Sequence, residues 1–239
     1  MAPTSIDGSD ITGATIDGQD VSEITVDGQT VFEAGPDIPD SGVYLHDDWG
    51  DNKLQNRDDS VTVTYNGVTG TYRPEWTLVS SNPEATSQEL SLTDNDALHA
   101  ALPDIRNKST TFEVNDLSGS LPFVRISIWG TSTSHRDSDK ADIYAESYFV
   151  DIQQGFDVFR LRRQAGLAGS PTDVINADQS FSLPIDVRVE HDGSGGWELF
   201  LNGVSQGTAT DTTYTDTEPI LWGFSDVRNP TTVNEIKVS

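Results

Sequence analysis

The chain has 239 residues, 34% of them hydrophobic, with 39 acids against 14 bases and a formal net charge of −25. That length accommodates one large β domain plus something small, and the charge argues against nucleic-acid binding, which needs a basic footprint. Cysteine is absent, which excludes a disulfide framework, a thiolate metal site and a cysteine nucleophile.

The acidity is lopsided, with 28 Asp and 11 Glu against 10 Arg and only 4 Lys. An Asp-rich, Lys-poor surface resembles proteins of halophiles that accumulate salt. At about 1 M salt the Debye length is ~3 Å, so self-repulsion that would strain a fold in dilute buffer is largely screened. No run approaches the ~20 consecutive apolar residues of a membrane span. The opening MAPTSIDGSD lacks the basic and apolar regions of a secretory signal. Neither membrane insertion nor a leader is therefore expected.

Residues 4–32 carry a repeat of period ten: Ile6-Asp7-Gly8, Ile16-Asp17-Gly18 and Val26-Asp27-Gly28, with Ile11, Val21 and Val31 three residues after each Gly. A β-branched residue, an Asp-Gly turn and another β-branched residue predict a small strand-turn-strand. Such ribbons are marginal alone, which predicts that residues 1–32 are a β-repeat docking segment that packs on a partner; the competing reading is a flexible leader that merely repeats. The cassette IDGQDVSEITVDGQTVF resembles N-terminal segments of tailed-virus structural proteins, including those of halophilic archaea. The Pro/Gly/Asp stretch 33–42 reads as a linker, and residues 43–239 as the large domain.

Within that domain, strands are predicted at Val61–Tyr65, Trp76–Ser80, Glu89–Leu92, Thr111–Asn115, Val124–Trp129, Ile143–Ile152 and Phe156–Arg163. Only Asp96–Leu102 has a helical look. The C-terminal stretch reads most clearly. Val187 and Val189 alternate with Asp186, Arg188 and Glu190, a Gly-rich turn follows at Asp192–Gly196, and Trp197, Leu199 and Leu201 alternate with Glu198, Phe200 and Asn202. Asn202-Gly203 supplies the positive φ of a type I′ turn, so the chain should double back there. Apolar or alternating runs at Ile220–Phe224 and Asn234–Val238 close a sheet. Many short strands, polar turns and almost no helix predict an all-β sandwich.

The succession VRVE, Asp-Gly turn, GGWELFLNG, apolar run and final strand resembles the C-terminal part of concanavalin A-like (LamG-type) jelly-roll domains. The opening His46-Asp47-Asp48-Trp49-Gly50-Asp51 is similar to that family's acidic start, with Trp49 in place of the usual Phe. The resemblance implies a concanavalin A-like jelly-roll sandwich and, where the family is catalytic, glycoside hydrolysis by two carboxylates on one strand face. The Glu-x-Asp-x-(x)-Glu strand of jelly-roll glucanases is missing, so an enzyme is not expected. Asp142 and Glu146 are a lone i, i+4 pair that would share a face with Tyr144 and Tyr148, a set able to stack on a sugar. Trp129 precedes Gly130 and a polar loop, which marks it as a ligand-facing aromatic; a core role competes for it. Trp49 and Trp76, beside turns, carry the same two readings. Trp197 and Trp222 read as core, and His46, His99, His135 and His191 as surface or edge residues.

Asp-rich loops supply the hard oxygen ligands calcium prefers, and many lectin-like jelly rolls carry one. Asp137, Asp139 and Asp142 form the densest candidate, followed by Asp94 with Asp96 and by Asp47, Asp48 and Asp51; the competing reading is solvated surface acid. Arg160 and Arg162 share a strand face, with Arg163 on the other, placed to pair with carboxylates on a neighbouring strand or across a subunit interface.

Together the repeat and the resemblances imply a homo-oligomeric structural protein on the exterior of a halophilic archaeal virion: a tail fibre, spike, capsid turret or decoration. It would dock on other virion proteins through residues 4–32 and display a lectin-like domain toward host glycan. The alternatives are a glycan-binding module of a halophilic cell-surface or secreted protein and, behind it, a glycosidase. The halophilic reading predicts that the unfolding midpoint falls steadily as KCl is withdrawn. Full stability at low ionic strength, followed by circular dichroism, would remove it.

Overall fold

The computed structural model describes residues 5–6, 9–10, 15–16, 19–20, 23–26, 29–33, 45–57, 60–65, 68–79, 83–86, 89–92, 98–101, 109–117, 124–132, 144–167, 169–214, 221–225 and 231–238. The chain divides into two compact units, Met1–Ile38 and Pro39–Ser239. All regular elements among the described residues are strands.

The first unit contains β1 (Ser5–Ile6), β2 (Ser9–Asp10), β3 (Thr15–Ile16), β4 (Gln19–Asp20), β5 (Glu23–Val26) and β6 (Gln29–Glu33). They pair as three antiparallel hairpins whose closing pairs are Ile6 with Ser9, Ile16 with Gln19 and Val26 with Gln29. Each closing pair brackets one Asp-Gly dipeptide, the two-residue connection that the period-ten repeat predicts.

The second unit begins with β7 (Leu45–Asp47), β8 (Val61–Tyr65), β9 (Val68–Tyr72), β10 (Thr77–Leu78), β11 (Glu84–Thr86), β12 (Glu89–Leu92), β13 (Leu98–Ala101), β14 (Ser109–Leu117) and β15 (Val124–Gly130). It continues with β16 (Ser147–Gln153), β17 (Val158–Gln164), β18 (Thr172–Asn176), β19 (Ile185–His191), β20 (Gly196–Leu201), β21 (Val204–Thr210), β22 (Leu221–Ser225) and β23 (Thr231–Val238). One sheet has seven strands in the order β10-β13-β22-β15-β16-β17-β18. The other has ten and runs β21-β20-β19-β14-β23-β7-β9-β8, with the β11-β12 hairpin attached to β23. Only β7 and β9 pair in parallel.

Period-2 alternation makes these strands a sandwich. Phe112, Val114, Val187, Val189, Leu199 and Val233 line the inner face of the ten-stranded sheet, and Ile126, Val150, Leu161, Trp222 and Phe224 that of the seven-stranded one. The faces meet in one apolar core, with Phe112 edge-on to Trp222 at 6.3 Å. This is the all-β sandwich the spacing predicts. Asp96–Leu102 is a correction: Leu98–Ala101 is a strand paired with β22, Leu98 opposite Phe224 and Ala100 opposite Trp222. Leu98 and Ala100 are fully buried, so tertiary packing decides the conformation over the local preference of this alanine-rich run.

The acidic opening is an arginine clamp. All five N–H groups of the buried Arg57 are engaged: Nη1 and Nη2 on Asp47 at 2.5 and 2.9 Å, Nε and Nη2 on Asp51 at 2.8 and 2.7 Å, and Nη1 on the Pro74 carbonyl at 3.1 Å. Asp47 also accepts from Trp76 Nε1 at 2.7 Å and from the Trp49 N–H at 3.0 Å. These bonds hold Trp49 at φ +55°, unfavourable for so bulky a side chain. Trp49 and Trp76, weighed above as stacking residues, are both buried. Asp48 is paired with Arg73 at 2.9 Å. The carboxylates of 47, 48 and 51, ranked above as calcium ligands, therefore have guanidinium partners.

The predicted pairing of the arginine cluster is observed as well. Arg162 reaches Asp151 at 2.8 Å and Asp173 at 2.7 Å, Arg160 bonds Asp178 and lies 3.3 Å from Asp173, and Arg163, on the opposite face, meets Asp211 at 2.5 Å.

Because the side chains of Arg57 and Asp47 are fully buried, Arg57→Met leaves an uncompensated carboxylate in the interior. The expected loss is about 3–5 kcal/mol of unfolding free energy, measured by urea denaturation. Asp47→Asn in the same background should recover part of it.

Candidate functional site

The site is built on β19, β20 and β21, three neighbours at one edge of the ten-stranded sheet. Their register places Glu190 opposite Glu198 and Glu198 opposite Thr208, with Gly196 opposite Thr210. Alternation turns Glu190 and Glu198 outward, while Val189, His191, Trp197 and Leu199 are buried. Here an open cleft of about 530 Å³ is lined by Glu190, His191, Asp192, Gly196, Trp197, Glu198, Thr208, Ala209 and Thr210. At Gly196 a Cβ would lie 2.3 Å from Asp192 Oδ2, so glycine there lets the Asp192 carboxylate lie against the backbone.

The three carboxylates are oriented by the protein. Asp192 Oδ1 accepts from the Ser194 and Gly196 N–H groups, both at 2.8 Å, and from Ser194 Oγ at 2.9 Å. These bonds, the backbone ones first, hold the carboxyl below its usual range. Glu198 Oε1 accepts from Ser205 Oγ at 2.5 Å. Glu190 Oε1 is held by Arg188, whose guanidinium stacks 3.7 Å over the Phe200 ring. The second oxygen of each carboxylate accepts no hydrogen bond among the described residues.

Behind the cleft lies an aromatic column. His191 packs 4.6 Å from Trp129 and 4.1 Å from Trp197; Trp197 packs 4.3 Å from Tyr148, and Tyr148 packs 5.7 Å from Tyr214. The Gly193 N–H donates to His191 Nδ1 at 3.0 Å, so the ring proton sits on Nε2, which is buried without a partner. Burial pushes the His191 pKa from its ordinary 6.5 down to about 4. Tyr148 donates to Asp211 Oδ1 at 2.7 Å, and its pKa is raised, first by burial and then by that carboxylate. Burial would raise Asp211, but the Thr213 N–H, the Tyr148 hydroxyl and Arg163 outweigh it and bring the carboxyl down to about 2.

Of the residues singled out in the sequence, the structure brings Trp129 and Tyr148 together on Trp197, inside the sandwich. Trp129 is 1% exposed and Tyr148 fully buried, so neither ring presents a free face. A bulge between Ser127 and Trp129 re-aims Trp129 inward. Tyr144 is separate. Its hydroxyl lies 3.0 Å from Nδ1 of His99, a residue on the opposite face of β13 from Leu98 and Ala100, and it too is buried. The shared face expected for Tyr144 and Tyr148 is broken at Glu146, whose φ of +55° ends the extended run. Asp137, Asp139 and Asp142, the candidate calcium ligands, lie outside the described residues, as does the pair Asp94 and Asp96. Among the described residues no group of three or more His, Asp or Glu is placed to hold a metal ion. His191, read as a surface or edge residue, is buried. The sequence reading missed the Glu190, Glu198 and Thr208 row because it runs across strands.

No protein-family model and no curated protein matches the sequence. Solved structures do. The carbohydrate-binding module CBM66 from Bacillus subtilis superposes with a TM-score of 0.51 at 11% identity, over 68% of this chain and 95% of that one. The chain shares its sandwich fold. A protein solved in work on endo-acting O-glycanases, which prominent members of the human gut microbiota express to initiate mucin breakdown, superposes with a TM-score of 0.53 at 13% identity, over 82% and 98%. The potassium-bound carbohydrate recognition domain of Emp46p gives 0.50 at 14% identity, over 68% and 87%. The fold is therefore a jelly-roll sandwich of the kind these structures share.

The buried, neutral His191 carries a pH signature. As pH falls below about 6.5 the unfolded chain takes up a proton that the folded chain refuses until about pH 4, so this contribution to stability is complete above 6.5 and declines through that window. The lowered Asp192 and Asp211 carboxyls lose their contributions only below about 3.8. His191→Phe should flatten the urea midpoint between pH 7 and pH 4.5, relative to the parent chain.

Proposed function

We propose that this protein is a glycan-binding module whose cleft on β19–β21 is the sugar site. The observation that carries the reading is the set of oriented acceptors: Glu190, Asp192 and Glu198 each have one oxygen fixed by a protein donor and the other without a hydrogen bond among the described residues. Thr208 and Thr210 add hydroxyls beside them. Sugar hydroxyls are donors as well as acceptors, and fixed acceptors bind them at little cost in side-chain entropy. Similarity of fold to a carbohydrate-binding module and a carbohydrate recognition domain supports the same reading.

The reading includes a place of display. The three Asp-Gly hairpins of the first unit and the Asp-rich, Lys-poor composition support attachment through residues 4–32 to the exterior of a halophilic archaeal virion, in several copies. Mass spectrometry of purified virions tests that part. Calcium at Asp137, Asp139 and Asp142 belongs to the proposal too, and calorimetry in high salt should show calcium heat above the salt background. The activity is binding without turnover; release of reducing ends from a bound glycan would instead assign hydrolysis.

Thr208 is exposed on an edge strand, so Thr208→Trp fills the cleft from a position that tolerates change. On a glycan array the parent chain should retain a defined set of sugars, and Thr208→Trp should lose at least about tenfold in affinity, the ~1.4 kcal/mol of a few hydrogen bonds. Unchanged binding by the variant would move the site elsewhere on the molecule.

A further inference from the structure

We infer that the cleft selects sugars bearing a free, protonated amine over neutral sugars and turns away acidic ones, an inference that rests on the reading of the cleft as a glycan site. The lining holds three carboxylates, two threonine hydroxyls and no lysine or arginine. Arg188, on the same strand as Glu190, is already committed to Glu190 on one side and to the Phe200 ring on the other. His191 also borders the cleft. It is 7% exposed, its Nδ1 is taken by the Gly193 N–H, and its Nε2 has no partner among the described residues. The site therefore offers a neutral imidazole where a cationic histidine would have balanced the acids.

The charge of the lining favours a cation over a neutral group. Glu190 and Glu198 are directly cross-strand, a placement in which like charges repel. Arg188 offsets Glu190, and Asp192, held by its own turn, adds a third carboxylate to the lining. An ammonium group has three donors and no acceptor, so it can donate to whichever of the lining carboxylates it meets without presenting a lone pair to any of them. A sugar hydroxyl satisfies one acceptor without relieving the repulsion, and a carboxylated or sulfated sugar adds to it. The chain's net charge of −25 acts in the same direction over longer range, drawing cations to the cleft at moderate salt.

The test uses the full chain and three oligosaccharides of equal length: fully deacetylated chitosan oligomer, its N-acetylated counterpart, and oligogalacturonate. Calorimetry is run below the amine pKa at the lowest KCl that keeps the chain folded. The deacetylated oligomer should bind about tenfold more tightly than the acetylated one, with oligogalacturonate weakest. Raising the pH above the amine pKa, or raising KCl, should shrink the ratio toward one. The double substitution Glu190→Gln/Glu198→Gln should do the same. The pH arm needs no variant, so it stands if the double substitution fails to fold. Equal affinity for the two chitosan-type oligomers, or a preference for the uronate, overturns the selectivity and leaves the glycan-binding reading intact. Absence of binding to every sugar here and on the array overturns both.

Discussion

Strand β23 is the constraint on which the second unit depends. One of its edges is paired with β14 along nearly its full length, from Thr110 opposite Val238 to Leu117 opposite Thr231. The other edge is divided: β7 takes Ile236–Val238, and β12 takes Thr231–Val233. Segments separated by well over a hundred residues thus meet on one strand of eight. Long-range pairings pay loop-closure entropy before they are rewarded. The ten-stranded sheet therefore becomes stable only when β23 is in place, and everything built on its edge, the β19–β21 cleft included, inherits its position from that strand.

Charge is handled in three ways in this acidic chain. In the interior, Asp47 and Asp51 share one fully hydrogen-bonded arginine. On the seven-stranded sheet, Arg160 and Arg162 alternate with Asp151, Asp173 and Asp178 across strands, so that sheet presents a near-balanced lattice. At the cleft the balance is left open, and three carboxylates share one arginine between them. A surplus of acids over the whole sequence is a statement about solubility and screening; its uneven distribution is what distinguishes one patch from the rest.

Much of the architecture was legible in the sequence, because alternation and turn chemistry are local. Asn202 and Gly203 do take positive φ, at 49° and 76°, and β20 doubles back as β21 there. The Asp-Gly repeat does close three hairpins. What stayed hidden depends on register. Trp129 reads as outward-facing until a one-residue bulge reverses it, and Tyr144 and Tyr148 read as one face until Glu146 adopts a left-handed backbone. Glu190 could have been set opposite Glu198 by counting back from the Asp192–Gly196 turn. Thr208 could not, since an irregularity at Leu199 and Phe200 shifts the pairing of β20 with β21. The clamp at Asp47 was misread for a related reason: an acidic loop looks like a cation site until the arginine ten residues on is seen to occupy it.

All five tryptophans are 3% exposed or less, and they fall into two groups. Trp49, Trp76 and Trp222 adjoin the arginine clamp, with ring centroids 5.3 and 6.2 Å from Trp76, whereas Trp129 and Trp197, 5.9 Å apart, stand behind the cleft. The molecule thus contains two separate chromophores. Indole emission and near-ultraviolet dichroism from the first report packing beside the clamp, and those from the second packing behind the cleft. Conservative replacement of either group would let optical spectroscopy follow the two regions of one core separately.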